Sequence, residues 1–210
     1  AVAISQAAMA RGVSFRKAEV VQLRPDDNGV TLELGDGKTI RAKHAVVAGA
    51  AWSKPLTRAL GDNIPLETER GYNTTLPPGS LDLRCQITFG GHGFVVSRLS
   101  TGIRVGGAVE LGGLSLPPNY KRSAAMLRKA KAFLPGLKTE GGTQWMGFRP
   151  SLPDSLPAIG RSRLSPQVVY AFGHGHLGLT QSAGTARLVA DLLTDSTLPI
   201  DLAPFRPQRF

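Results

Sequence analysis

Two short, uninterrupted apolar segments, His44-Ala45-Val46-Val47-Ala48 and Val168-Val169-Tyr170-Ala171-Phe172, set the strongest limit on how this chain can fold. An apolar run of this length, without alternation, suits a strand buried on both faces, as in a parallel sheet covered by helices. Each run exits into small residues. Gly49-Ala50-Ala51-Trp52-Ser53 follows the first, and Gly173-His174-Gly175-His176-Leu177-Gly178 follows the second. In open α/β sheets such strand ends are where ligands are held.

Around these two segments the pattern changes twice. Residues 2–10 read as a helix, with Gly12 as its stop. Period-two apolar runs follow: Val13 and Phe15, then Val20, Val21 and Leu23, then Val30, Leu32 and Leu34. Asp26-Asp27-Asn28-Gly29 and Gly35-Asp36-Gly37 supply hairpin turns between them. From about residue 64 the segments lengthen and look antiparallel, at Thr68–Leu76, Cys85–Phe89, Gly93–Leu99 and Ile103–Glu110. Pro117-Pro118 then leads into a helix from Asn119 to Leu134. Its stripe of Tyr120, Ala124, Leu127, Ala130 and Leu134 is expected to face inward. Gln144–Phe148 reads as a strand opening into an Arg149-Pro150 turn, and a second helix is expected over 182–194 with Leu188, Val189, Leu192 and Leu193 buried. The tail from Leu198 is rich in proline and is expected to run as an extended strap.

The order is therefore α/β, antiparallel sheet with a helix, and α/β again. It points to an α/β (α+β) protein with an antiparallel domain inserted into a layered one. The expected divisions are 1–62, 63–145 and 146–210.

Composition narrows the function classes. Apolar residues make up 41% of 210 and charged residues 19%, which fits a packed globular chain rather than a disordered one. No apolar run approaches the ~20 residues of a membrane span. The lone Cys85 cannot form an internal disulfide. The net charge of +10 raises nucleic acid as a partner, but the basic residues are scattered and the aromatic residues, at 6%, do not interleave with them. The charge reads instead as solvated faces with a preference for anionic ligands, and it leaves open a peripheral contact with an anionic membrane surface. The chain opens at Ala1 on a helix-like segment with no signal-peptide pattern, and is read as a fragment of a longer protein.

Three motifs carry chemistry. Gly173 to Gly178 spells G-x-G-x-x-G after a strand, yet too little chain follows for the further β-α-β units of a dinucleotide fold. The fingerprint is rejected, but its physics stands: glycines admit close backbone approach, and a helix N-terminus brings partial positive charge. His174 and His176, with His92 and Cys85, are a weak metal signal, because no cysteine pair or His-Glu-x-x-His helix accompanies them. His44 reads as a polar strand-entry residue. Arg149, ahead of Pro150, is suited to bidentate capture of a carboxylate; the plain alternative is a salt bridge to Asp154.

Taken in order, several segments resemble the FAD-dependent D-amino acid oxidase/dehydrogenase family, especially its bacterial D-amino acid dehydrogenase-like branch. They are Ala18-Glu19-Val20-Val21, the stretch His44 to Ser53, and Pro65-Leu66-Glu67-Thr68-Glu69-Arg70-Gly71-Tyr72. Then come Gly102 to Gly107 with Glu110, Gly147-Phe148-Arg149-Pro150 with Asp154, Pro157 and Gly160, then Gly173 to Thr180, and finally Asp201 to Phe205 with Arg209-Phe210. The family's opening βαβ nucleotide fingerprint is absent, so the resemblance is to the C-terminal part.

The resemblance implies a role for each of these segments. Val20 would lie near the adenine of FAD, and Gly49 and Trp52 would pack beside the cofactor. The loop Gly173, His174, Gly175, His176, Leu177, Gly178, Leu179 and Thr180 would wrap the isoalloxazine. Arg149 would bind the substrate carboxylate and Tyr72 would line the pocket, while Glu110 receives no role. No catalytic side chain is implied, because the flavin carries the chemistry: hydride transfer from the substrate Cα to flavin N5, then imine hydrolysis to a keto acid and ammonia. Implied partners are a small amino-acid substrate, a quinone or electron-transfer partner in preference to oxygen, and the missing N-terminal half, in a cytoplasmic setting or peripheral to the inner face of a bacterial membrane. Sarcosine, glycine, proline and hydroxyproline remain alternative substrates. A non-catalytic ligand-binding or scaffold fragment is the alternative of another class.

Overall fold

The computed structural model describes residues 2–210, and begins with helix α1 (Val2–Met9), which buries none of its residues. Gly12 follows in the left-handed region at φ +89. Val13 and Phe15 belong to no strand despite their alternation and are exposed. Alternation alone forms no ladder where no neighbouring chain accepts the hydrogen bonds.

Strands β1 (Val20–Asp26), β2 (Gly29–Leu34) and β3 (Thr39–Ala42) form an antiparallel meander in that order. The Asn28 amide donates to Asp26 Oδ1 at 2.8 Å in the first turn, and Pro25 is tolerated because β1 lies at the sheet edge. Next come β4 (Ala45–Val47), a single 3₁₀ turn at Ala50–Trp52, and helix α2 (Lys54–Ala59).

The middle of the chain builds the largest sheet. Its strands are β5 (Glu67–Leu76), β6 (Ile87–Phe89), β7 (Phe94–Leu99), β8 (Gly102–Leu111) and, after helix α3 (Lys121–Phe133), β9 (Thr143–Ser151). The order is β6-β7-β8-β5-β9, antiparallel throughout. One face packs on α3 around Tyr72, Leu76, Phe94, Val96, Ile103, Val105, Met126 and Ala130. Each fully buried apolar side chain there contributes about 1.5–3 kcal/mol.

The chain then returns to the first region through β10 (Ala158–Arg161), β11 (Val168–Phe172) and α4 (Gly178–Leu193). β11 pairs parallel with β4 and antiparallel with β10, so the two apolar segments that limit the fold are hydrogen-bonded neighbours. A second core of Leu23, Val30, Val47, Leu66, Leu152, Val168, Tyr170 and Phe172 ties the meander to this sheet. Asp62 is buried within reach, accepting from Ser162 Oγ and Tyr170 Oη at 2.8 Å each.

Several expectations need correction. β9 runs through Arg149 and Pro150 to Ser151, so Arg149 lies in a strand and not in a turn. Proline is accommodated because β9 is an edge strand, where its missing N–H faces no partner. Strand β9 also spans the expected boundary at residue 145. The buried stripe of α3 is Ser123, Met126 and Ala130: Ala130 is as expected, Ser123 and Met126 take the places expected of Ala124 and Leu127, which are half-buried with Leu134, and Tyr120 is exposed. A serine can occupy that stripe because its hydroxyl donates to the Tyr120 carbonyl and accepts from Gln144 Nε2. Helix α4 starts four residues earlier than expected and buries Leu188 and Asp191, leaving Val189, Leu192 and Leu193 half-buried. The tail coils into 3₁₀ turns at Ala203–Phe205 and Pro207–Arg209 instead of running extended. Among the described residues no helix is long and apolar enough to cross a membrane.

Candidate functional site

Alternation along β5 assigns its residues to two faces of the large sheet. Tyr72, Thr74 and Leu76 point toward α3, and Glu69, Gly71, Asn73 and Thr75 point the other way. On the second face Glu69 pairs with Arg149, Gly71 with Gly147, and Asn73 with Trp145 and Gly106. A bulge at Ala108, held at φ 44, restores the register between β5 and β8 at Gly71/Tyr72. The glycines leave a hollow in this face. It is a cavity of about 410 Å³ lined by Asn73, Ser97, Arg104, Trp145, Arg149 and His176, among others.

Arg149 is the central group of the hollow. Its guanidinium lies over Gly71, where a β-carbon would overlap it. One terminal nitrogen, Nη1, is buried without a hydrogen-bond partner. Burial pushes the Arg149 pKa down, and the negative charge of Glu69 opposes that shift. Glu69 makes no ion pair with it, because its carboxylate is held 3.3 Å from His176 Nε2. Nor is Asp154 its partner, as the plain alternative had it: Asp154 takes the fork of Arg209 at 2.6 and 3.0 Å. Arg149 therefore lines the cavity as a half-buried cation with one unpaired donor, a group whose charge an anion would compensate.

Tyr72 borders the cavity, but its hydroxyl is committed on the α3 side. It donates a short hydrogen bond to Glu110 and accepts from the Asn119 amide at 3.0 Å. Glu110 also meets Arg122 Nε at 3.2 Å and the fully buried Arg70 at 3.5 Å. Hydrogen bonding by Tyr72, followed by the nearby Arg122 charge, holds the Glu110 pKa below the usual carboxylate value. Arg70 in turn donates to the carbonyls of Gly112 and Pro117, so this cluster fastens the loop before α3. Glu110 thus has a structural role in the fold.

Val20, Gly49 and Trp52 come together along one open groove of about 1000 Å³, with Val46, Ala48 and Leu56 beside them. Trp52 is 56% exposed and stands edge-on to Phe148, ring centroids 5.5 Å apart. The segment from Gly173 to Thr180 is expected to be a loop throughout, but only Gly173 to Leu177 connects β11 to α4, and Gly178, Leu179 and Thr180 form the first turn of the helix. Gly173 at φ +86 leaves room for Leu152, which would sit 2.6 Å from a β-carbon there. The Gly175 amide donates to the Pro150 carbonyl at 2.7 Å. His174 Nε2 lies 2.9 Å from Thr185 Oγ1, and burial lowers the His174 pKa. His176 reaches Glu69, which ties the loop to the Arg149 hollow. Leu177 gives α4 no side-chain cap, and Gly178, Leu179 and Thr180 are exposed, leaving the first-turn amides of α4 open.

The histidines do not converge with Cys85: His92 packs on the Phe133 ring at 4.6 Å, while His174 and His176 bind different partners. Among the described residues no group of three or more His, Cys, Asp or Glu is placed to hold a metal. Asn73, Arg104, Trp145 and Glu69 were not singled out from sequence. Glu69 and Asn73 lie two residues from Gly71 and Trp145 two from Gly147 along extended strands, which was the available signal; Arg104, on β8, had none.

Comparison with known proteins identifies the family. The family model described as DAO, FAD dependent oxidoreductase, matches residues 1–192. The chain is 40% identical over 212 residues to a D-amino-acid oxidase of Bradyrhizobium diazoefficiens, covering 99% of this chain and 50% of the relative. It is 35% identical over 211 residues to a D-amino acid dehydrogenase of Paramagnetospirillum magneticum, covering 97% and 49%. Among solved structures, glycine oxidase from Geobacillus kaustophilus superposes with a TM-score of 0.87 at 25% identity, over all of this chain and 57% of that one. The chain spans about half the length of the curated relatives it matches.

Proposed function

Because the chain belongs to the FAD-dependent oxidoreductase (DAO) family, we propose that it forms the substrate-binding and flavin-covering part of an enzyme that oxidises the C–N bond of an amino acid, in the first instance a D-amino acid. The observation that carries this reading is the buried, unpartnered Nη1 of Arg149 in a hollow joined by His176 to the Gly173–Thr180 segment.

The residues present fit FAD. The groove at Val20, Gly49 and Trp52 is largely apolar and open-sided, as a flat aromatic system requires. The uncapped start of α4 offers backbone donors and partial positive charge, and Gly173 and Gly175 let the backbone approach closely. When bound, FAD supplies the two-electron acceptor that amino-acid side chains lack.

The chain's own residues then do the positioning. Arg149 binds the α-carboxylate by its fork and fixes which face of Cα meets the cofactor groove. Its half-burial strengthens that contact, since a desolvated guanidinium gains more from a carboxylate than an exposed one. His176 and Glu69 bind one another at the rim. Tyr72 acts from behind the sheet, through Glu110, by holding β5 and the loop before α3. The oxidised amino acid leaves as an imine, which water converts to keto acid and ammonia. In this reading residues 1–62 and the return from β10 onward serve the cofactor, and the stretch from 63 through the end of β9 roofs it. A quinone or electron-transfer partner takes the electrons onward, in support of which stands the relationship to dehydrogenases.

The test is the visible spectrum of the FAD-loaded enzyme that contains these residues. A flavin spectrum that bleaches anaerobically on addition of a D-amino acid is the expected result. A spectrum unmoved by D-amino acids and bleached by sarcosine, glycine or proline would reassign the substrate. Oxygen uptake against quinone reduction distinguishes the acceptors.

A further inference from the structure

The cavity that holds Arg149 contains a second guanidinium, that of Arg104, while Glu69 at its rim is engaged with His176. Among the described residues lining it none is Asp or Glu, and two, Arg104 and Arg149, are arginines. Arg104 extends from β8 on the same face, and its Nε donates to Thr75 Oγ1 at 3.1 Å. That bond fixes the side chain through Nε, and among the described residues no hydrogen bond engages its terminal nitrogens.

The spacing of the two guanidinium groups can be read along β5. Arg149 stands over Gly71 and Arg104 is anchored at Thr75, both on the cavity face. Gly71 and Thr75 are four residue steps apart along the strand, about 13 Å at ~3.3 Å per residue. A charge-assisted guanidinium–carboxylate pair places its two carbon atoms about 4 Å apart, given N–H···O distances of ~2.7–2.9 Å. What remains between the two carboxylate carbons is about 5 Å, the length of an extended five-carbon dicarboxylate with bonds of ~1.5 Å. Midway on the same strand stands Asn73, 8% exposed, with its Oδ1 buried and unpartnered. An acceptor without a donor is costly there, and an amino group would satisfy it.

We propose that this cavity takes an α-amino dicarboxylic acid of about glutamate length. Its α-carboxylate binds Arg149, its amino group donates to Asn73 Oδ1, and its distal carboxylate binds Arg104. The inference rests on the reading of Arg149 as an amino-acid carboxylate site and goes beyond it by naming the substrate class.

The test compares D-glutamate with its isostere D-glutamine in the FAD-loaded enzyme. The expected kcat/KM for D-glutamate is about tenfold or more above that for D-glutamine, the cost of leaving a charged donor unpaired. Arg104→Gln should close that gap by raising KM for D-glutamate more than for D-glutamine. Equal kcat/KM for the two, or an Arg104→Gln variant that preserves the gap, overturns the proposal. Arg149→Gln separates the underlying reading: KM should rise for both amino acids, and no rise for either overturns the carboxylate assignment itself. Glutarate and its mono-amide glutaramate, neither of which can be oxidised, repeat the comparison as binding measured by calorimetry. Tighter glutarate whose advantage disappears in Arg104→Gln supports the proposal; equal affinity overturns it.

Discussion

The guanidinium of Arg149 stands over Gly71 on the neighbouring strand, in space that a β-carbon at Gly71 would occupy. Gly71 itself has no unusual backbone angle, so the glycine serves its neighbour and not its own conformation. Gly71→Ala should therefore displace the arginine while β5 keeps its pairing. We expect KM for the amino acid to rise ~10- to 100-fold, in line with a misplacement of about 1 Å, with a nearly unchanged melting temperature. Steady-state kinetics with thermal unfolding on the same sample checks this; an unchanged KM would remove Gly71 from the account.

Glu69 lies opposite Arg149 in the β5–β9 register yet binds His176 at 3.3 Å. Removing the histidine frees a carboxylate beside the open guanidinium. His176→Ala should raise KM by about tenfold through this internal competition, the size of one charge-assisted contact. Adding Glu69→Gln should return most of the loss. Effects that simply add in the double variant would contradict the competition.

Tyr72 is the largest cause of the depressed Glu110 pKa. A carboxylate with a folded pKa below its ordinary value of 4.5 contributes stability that is present above that pH and is lost as pH falls through the folded pKa. Tyr72→Phe should thus cost stability at neutral pH, and the difference from wild type should shrink as the solution is acidified below about pH 4.5. Urea unfolding at neutral and acidic pH measures it. A difference independent of pH would place the loss in packing alone.

Arg209 clamps the C-terminal turns to Asp154 and to the carbonyls of Leu156 and Pro157. Its side chain is only 12% exposed. Arg209→Ala should destabilise the chain by about 1–3 kcal/mol, the range for charged hydrogen bonds, without moving KM. The urea midpoint and amino-acid kinetics separate the two effects.

What could be read in the sequence was local. The apolar runs at 45–47 and 168–172 and the turns at Asn28-Gly29 and Gly35-Asp36-Gly37 follow from periodicity and turn chemistry. Arg149 was visible because a guanidinium beside an apolar strand is unusual. Its surroundings were not, because Glu69, Asn73 and Arg104 meet it through register between strands far apart in the chain. The face taken by the Tyr72 hydroxyl was hidden for a related reason: alternation cannot show that Glu110 and α3 lie behind it. Pro150 was misleading, since only the sheet order reveals that β9 is an edge where proline breaks nothing. The early start of α4 was masked by Gly178, which reads as a turn residue yet opens the helix.

Strand β5 carries two independent sets of instructions on one stretch of backbone. Thr74 and Leu76, with Tyr72 among them, are answerable to the packed layer against α3, and Gly71, Asn73 and Thr75 to the hollow opposite. Because the two sets alternate, inheritance can edit one without rewriting the other. A lineage that exchanged the residue at position 73 or 75 would present a different chemical surface to its ligand on an unaltered foundation, and selection for a new diet need not be selection against a stable fold.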